Sequence, residues 1–179
     1  AKLIRIARQD SKTRHLARFI LVALYTGSRK SVILRLKFEQ HSAGGWVDLS
    51  NGVLYRKAKA ARQTSKRAPS IRIPQKLLGH LKRWRRLSQH WVVEYDGAGV
   101  GSIKTSWRSL MKKAELDIHA TPHTLRHTAI TWAMQNAADP YEACGYFGVS
   151  WKTMEEVYLH HHPDHQKSAV DAANRKKVK

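Results

Sequence analysis

The chain of 179 residues contains a single cysteine, Cys144. That excludes an intrachain disulfide and any cysteine-rich zinc module, and it suits a reducing compartment. Long apolar runs are also missing: the longest, residues 19–25, is far too short to cross a bilayer. No N-terminal pattern of charged, apolar and small residues marks a secretory signal. The expected location is therefore cytoplasmic, with no membrane partner. Acid is scarce. Asp plus Glu number 13 against 33 Lys plus Arg, a formal charge of +20. Hydrophobic residues make up 42%, which is ordinary for a folded protein and argues against wholesale disorder. The length suits one domain with room for a tail. A first residue of Ala rather than Met reads as a piece of a longer protein.

A pI near 10.5 calls for a polyanionic partner, nucleic acid ahead of an anionic membrane surface. The charge is concentrated. Residues 49–93 contain no Asp or Glu and twelve Lys or Arg. A merely solvated surface mixes both signs, so this stretch reads as a surface for the DNA backbone. Lys57, Lys59, Arg62 and Arg67 lie within it as electrostatic footing rather than readers of sequence.

The chain reads as mainly α with one small antiparallel β-sheet. Leu16, Phe19, Ile20, Ala23 and Leu24 make a helical stripe over 11–25, stopped by Gly27. A short helix is expected over 31–38. Extended pieces follow at 46–49, 53–56 and 70–73, with Asn51-Gly52 as a tight-hairpin signal. The last turn of that sheet, 57–69, is long and basic. Pro74 opens a helix with Leu77, Leu78, Leu81 and Trp84 on one face. Residues 91–95 read as a strand or an apolar loop. Ile103, Trp107, Leu110, Met111 and Ala114 mark a further helix. Thr121-Pro122 is expected to start the next, Asp139 and Glu142 form a capping box, and Ser150 caps another helix ending near Tyr158. Trp46, Trp84, Trp107, Trp132 and Trp151 are expected at the core or its edge, and Cys144 as a small buried residue.

Three segments carry chemistry. In His123-Thr124-Leu125-Arg126-His127, His123 and Arg126 are three apart on one helix face, at a terminus where unpaired N–H groups and the dipole favour an anion. In Tyr25-Thr26-Gly27-Ser28-Arg29, glycine turns the chain and leaves an arginine at the start of the next element. Residues 147–158 put Tyr158 at a helix end beside a basic, histidine-rich run. A phenol among cations is a candidate nucleophile, because its deprotonation and attack on phosphate both need charge neutralisation.

Taken in chain order (Thr26-Gly27-Ser28-Arg29, a basic turn lysine, His123 to His127, then a glycine-led turn and a tyrosine), these segments resemble the catalytic domain of tyrosine recombinases of the phage-integrase type, over about residues 11–165. By that resemblance Arg29 and Arg126 are the two family arginines, His123 the histidine and Tyr158 the nucleophile. Lys66 best fits the lysine of the hairpin turn, with Lys57 and Lys59 as alternatives. One position departs from the pattern: Val149 stands where the family usually has His or Trp, and valine donates no hydrogen bond. The resemblance implies cofactor-free, metal-independent cleavage and rejoining of double-stranded DNA through a 3′-phosphotyrosine. It also implies a bacterial cytoplasmic or nucleoid setting and self-association into a tetramer on DNA. Residues 1–10 would be the end of an interdomain linker and 166–179 a basic tail that docks on a neighbouring subunit.

The competing readings are an integrase-like module that grips DNA without cutting it, for which Val149 speaks, and a type IB-like topoisomerase. A metal nuclease built on His160, His161, His162 and His165 lacks a matching acidic or cysteine set beyond Asp164.

Overall fold

A computed structural model describes residues 2–58, 67–88, 90–117 and 120–175. Helix α2 (Arg14–Thr26) is the centrepiece. Leu16, Phe19, Ile20, Val22 and Ala23 are fully or almost fully buried, so apolar positions surround the helix rather than forming one stripe. Each of its large side chains contributes about 1.5–3 kcal/mol of burial. Helix α1 (Lys2–Gln9) packs on α2 and on α5 (Lys104–Lys113), with Ala7 completely buried. Residues expected as linker are thus helical and joined to the core.

Helix α3 (Lys30–Leu34) is shorter than the sequence suggests. The chain leaves it so that Leu36 and Phe38 still point inward, and Lys37 bridges to Trp46 and Trp91. Strands β1 (Trp46–Asp48), β2 (Val53–Tyr55) and β3 (Ile71–Arg72) form the expected antiparallel sheet in that order, with Val47 opposite Leu54 and Leu54 opposite Ile71. Gly52, at φ +64°, supplies the left-handed position of the first turn. Helix α4 (Gln75–Arg85) follows Pro74 and buries Leu77, Leu81 and Trp84. The 91–95 stretch contributes only β4 (Glu94–Tyr95), paired with β5 (Ala98–Gly99).

Helices α6 (Thr124–Gln135), α7 (Pro140–Phe147) and α8 (Trp151–Val157) enclose a second apolar cluster around Ile130, Met134, Phe147, Met154 and Tyr158. Asp139 accepts from Glu142 N at 2.8 Å and Ser150 from Thr153 N at 3.2 Å, as their capping patterns require. The start of α6 differs from expectation. Thr121 and Pro122 belong to a preceding turn and His123 is the N-cap. Trp84 and Trp107 are buried as expected, whereas Trp132 is 51% exposed and Trp151 lies at the surface, stacked on Tyr141. A 3-10 turn, Leu159–His161, and helix α9 (Lys167–Ala173) complete the chain, and α9 has no buried residue. Tyr146 packs against both apolar clusters, and the candidate site lies along that seam.

Candidate active site

Two left-handed caps define the site. Helix α2 stops at Gly27 (φ +58°) and α7 stops at Gly148 (φ +63°). Both positions need glycine for conformation and for space. A Cβ on Gly27 would meet the Phe147 ring at 2.5 Å, and one on Gly148 would meet Pro69 Cδ at 2.8 Å and Arg67 O at 2.9 Å. The returning arm of the basic hairpin therefore lies directly on the end of α7.

Three arginines hold these segments together. Arg126, on the first turn of α6, is buried and donates to the carbonyls of Gly27 and Gly148, the latter at 3.4 Å. Arg29, the residue before α3, donates to Arg67 O at 2.8 Å. Arg56 follows β2 and is only 5% exposed. Its guanidinium donates to Ser28 Oγ at 2.9 Å, Thr26 O at 2.6 Å, Tyr146 O at 2.6 Å and Pro69 O at 3.3 Å. One side chain thus ties the α2 cap, the hairpin arm and the end of α7.

Among the described residues no carboxylate forms an ion pair with Arg29, Arg56 or Arg126. Burial first, then repulsion from neighbouring arginines (Arg126 and Arg29 on Arg56, Arg29 on Arg126), pushes Arg56 and Arg126 down to about 10, with the Tyr146 and Tyr158 phenols opposing it. Both remain cationic at neutral pH. Concentrated positive charge held by carbonyl and hydroxyl dipoles rather than carboxylates is a preorganised site for an anion.

His123 sits at the N-cap of α6. Burial, then His127, Arg126 and Arg29, holds its imidazole below the usual histidine range. Tyr158, at the end of α8, is 3% exposed, and its Oη lies 2.7 Å from His127 Nδ1. Burial raises the phenol pKa while Arg126 opposes that rise. Arg29, His123, Arg126 and Tyr158 are therefore linked through one electrostatic neighbourhood, although they come from distant parts of the chain.

Lys66, Lys59 and Arg62 lie outside the described residues. Lys57 and Arg67 are exposed on the two arms that flank them. Val149 is buried in the second cluster and offers no donor. The His160 and His161 rings lie 4.0 Å apart, tilted by 46°, and no group of three metal-ligating residues occurs among the described residues.

Sequence reasoning missed two participants. Arg56 was counted only as surface charge. Its signal was register: two residues after Leu54, it points to the same inner face of the strand. His127 was noticed only as the end of a motif. Its signal was the four-residue spacing from His123, which stacks the two rings edge to face at 4.8 Å.

The model of the phage integrase family matches residues 1–165. Comparison with curated proteins gives no match. Among solved structures, XerA recombinase is 20% identical over 98% of this chain, with a TM-score of 0.65. The Tn1549 transposon integrase, in complex with transposon right end DNA, is 14% identical over 97% of the chain, with a TM-score of 0.73. The catalytic domain of bacteriophage HP1 integrase is 20% identical over 98% of the chain, with a TM-score of 0.62. The chain spans 62% and 63% of the XerA and Tn1549 chains, but it matches 94% of the HP1 domain. At these identities the structures establish a shared fold, while the family match covers nearly the whole sequence: the chain belongs to the phage integrase family.

Proposed function

We propose that this chain is the catalytic domain of a site-specific tyrosine recombinase that cuts and rejoins double-stranded DNA through a 3′-phosphotyrosine. The observation that carries the reading is the carboxylate-free cluster of Arg29, Arg56 and Arg126, with His123 and the Tyr158 phenol in the same electrostatic neighbourhood. Arg29 and Arg126 bind the non-bridging oxygens of the scissile phosphate with planar, permanently charged forks. Tyr158 attacks phosphorus and the 5′ oxygen leaves as a hydroxyl, protonated by an ammonium group of the basic hairpin turn. Lys66 is the residue proposed for that role. The phosphodiester energy is kept in the covalent link, so no external energy source is required. The guanidinium groups supply the charge neutralisation that a metal ion would otherwise provide.

Residues 2–9 belong to this catalytic unit, because α1 packs on α2 and α5. We assign residues 166–179 to a basic C-terminal tail. The exposure of α9 throughout its length supports docking on a neighbouring copy within a tetramer on DNA. No helix among the described residues is long and apolar enough to cross a membrane, and we assign the protein to the bacterial cytoplasm, where its DNA would be.

The test is trapping on a nicked suicide duplex. Wild type forms a covalent adduct, Tyr158→Phe forms none, and EDTA leaves the yield unchanged. Loss of the adduct in EDTA overturns metal independence. Val149 favours a second reading, a module that grips DNA without cutting it. In that case wild type and Tyr158→Phe shift DNA equally and neither is trapped.

A further inference from the structure

We propose that His127, rather than His123, takes the Tyr158 proton during cleavage and returns it during rejoining. This rests on Tyr158 being the nucleophile. The Tyr158 Oη lies 2.7 Å from His127 Nδ1, and this is the phenol's hydrogen bond among the described residues. The two ring centroids lie 5.8 Å apart, with the planes tilted by 34°. In the tautomer that carries its proton on Nε2, His127 accepts the phenol hydrogen at Nδ1, and His127 is exposed where Tyr158 is buried.

The two histidines of the segment divide the work. His123 has Arg126 and Arg29 among its electrostatic neighbours, which places it with the phosphate-binding groups. One turn along the same helix, His127 touches the phenol oxygen. As the Oη–phosphorus bond forms, the Oη proton passes to His127 Nδ1. The bond from phosphorus to the 5′ oxygen breaks, and that oxygen takes a proton from the hairpin ammonium of the reading above. Rejoining runs the same transfers backwards.

Helix α6 and its N-cap contribute Arg126 and His123, and the turn before α3 contributes Arg29. The elements packed against α6 carry Arg14, His15, Arg18 and Tyr25 on α2, Tyr141, Glu142, Cys144 and Tyr146 on α7, and His160 and His161 on the 3-10 turn, while Lys152, Glu155 and Glu156 precede Tyr158 on α8.

The experiment is single-turnover adduct formation on a nicked suicide duplex at saturating DNA, from about pH 7 to about pH 9. Wild type, His127→Ala, His127→Asn and Tyr158→Phe are compared, with melting curves to confirm folding. At pH 7 both His127 variants should cleave about a hundredfold more slowly than wild type. Their rates should rise roughly tenfold per pH unit, since only solvent then removes the phenolic proton, while the wild-type rate stays nearly flat. DNA affinity should not change. Asparagine accepts the phenol hydrogen bond but takes no proton. Recovery of the wild-type rate in His127→Asn would make His127 a positioning residue and overturn the proposal. Wild-type rates in His127→Ala, or a loss that pH does not relieve, would also overturn it. Absence of the adduct in wild type would instead refute the nucleophile reading, and the His127 assignment with it.

Discussion

Arg126 gives two of its donors to backbone carbonyls and, buried, has no carboxylate partner among the described residues. A lysine there keeps the charge but loses the fork. Arg126→Lys should therefore slow adduct formation about a hundredfold or more with little change in melting temperature, measured on the suicide duplex and by thermal unfolding. Arg56→Met should do the opposite. It strands the carbonyls of Thr26, Pro69 and Tyr146 in a buried seam, at a cost of about 3–5 kcal/mol. At this chain length that is a drop of roughly 6–20 °C in Tm, readable by calorimetry. His123 offers a pH test. Burial and neighbouring cations hold its pKa below the usual value in the free protein. A bound phosphate favours the protonated ring and raises that pKa, so the complex holds more protons than the free partners between the two values. DNA affinity should rise as pH falls through that window and level off below it. Fluorescence anisotropy at fixed ionic strength measures the slope, and His123→Gln should flatten it.

At the scale of elements, the glycine caps set the distance between helices and the hairpin arm. Gly148→Ala is strained by its positive φ and forces the Arg67–Pro69 backbone away from α7. It should lower stability by more than 1 kcal/mol and impair cleavage, because Arg29 hydrogen-bonds the same Arg67 carbonyl. Gly27→Ala should be partly rescued by Phe147→Leu, since the obstacle there is a side chain rather than backbone; paired melting curves check both. Caps and turns of this kind were legible in the sequence wherever the interaction is local. Asp139, Ser150 and the Asn51-Gly52 turn each act within three residues of themselves. The α6 start was misplaced because Thr121 accepts from Thr124 through its backbone in a separate turn, an arrangement that looks like a cap in sequence. Arg56 was invisible for the opposite reason. Its partners are up to ninety residues away, and only the closed fold makes its burial tolerable. The same limit applies to Trp132 and Trp151, large apolar residues that local patterning sends inward and the helix packing leaves outside.

For the whole molecule, two apolar clusters meet along a seam of arginines, and the basic hairpin arms flank it. The linear sequence located Arg29 and Arg126 by motif, but it could not show that Arg56 joins them in one neighbourhood. The long-range field belongs to this scale. With a formal charge of +20, binding to DNA should be dominated by counterion release, and log K should fall linearly with log[salt]. The exposed arms then separate two kinds of arginine and lysine. Lys57 is exposed, and the Arg67 side chain is exposed while its carbonyl holds Arg29. If the arms bind DNA as proposed, replacing either by alanine would remove a phosphate contact and leave that backbone bond in place. Lys57→Ala and Arg67→Ala should each reduce the magnitude of the salt slope by about one, weaken binding equally on all DNA sequences, and leave cleavage at saturating DNA unchanged. Titrations across a salt series on specific and unrelated duplexes measure both quantities. A slope that stays the same in both variants would remove the arms from the DNA surface, and the positive charge that matters would then be the buried cluster alone.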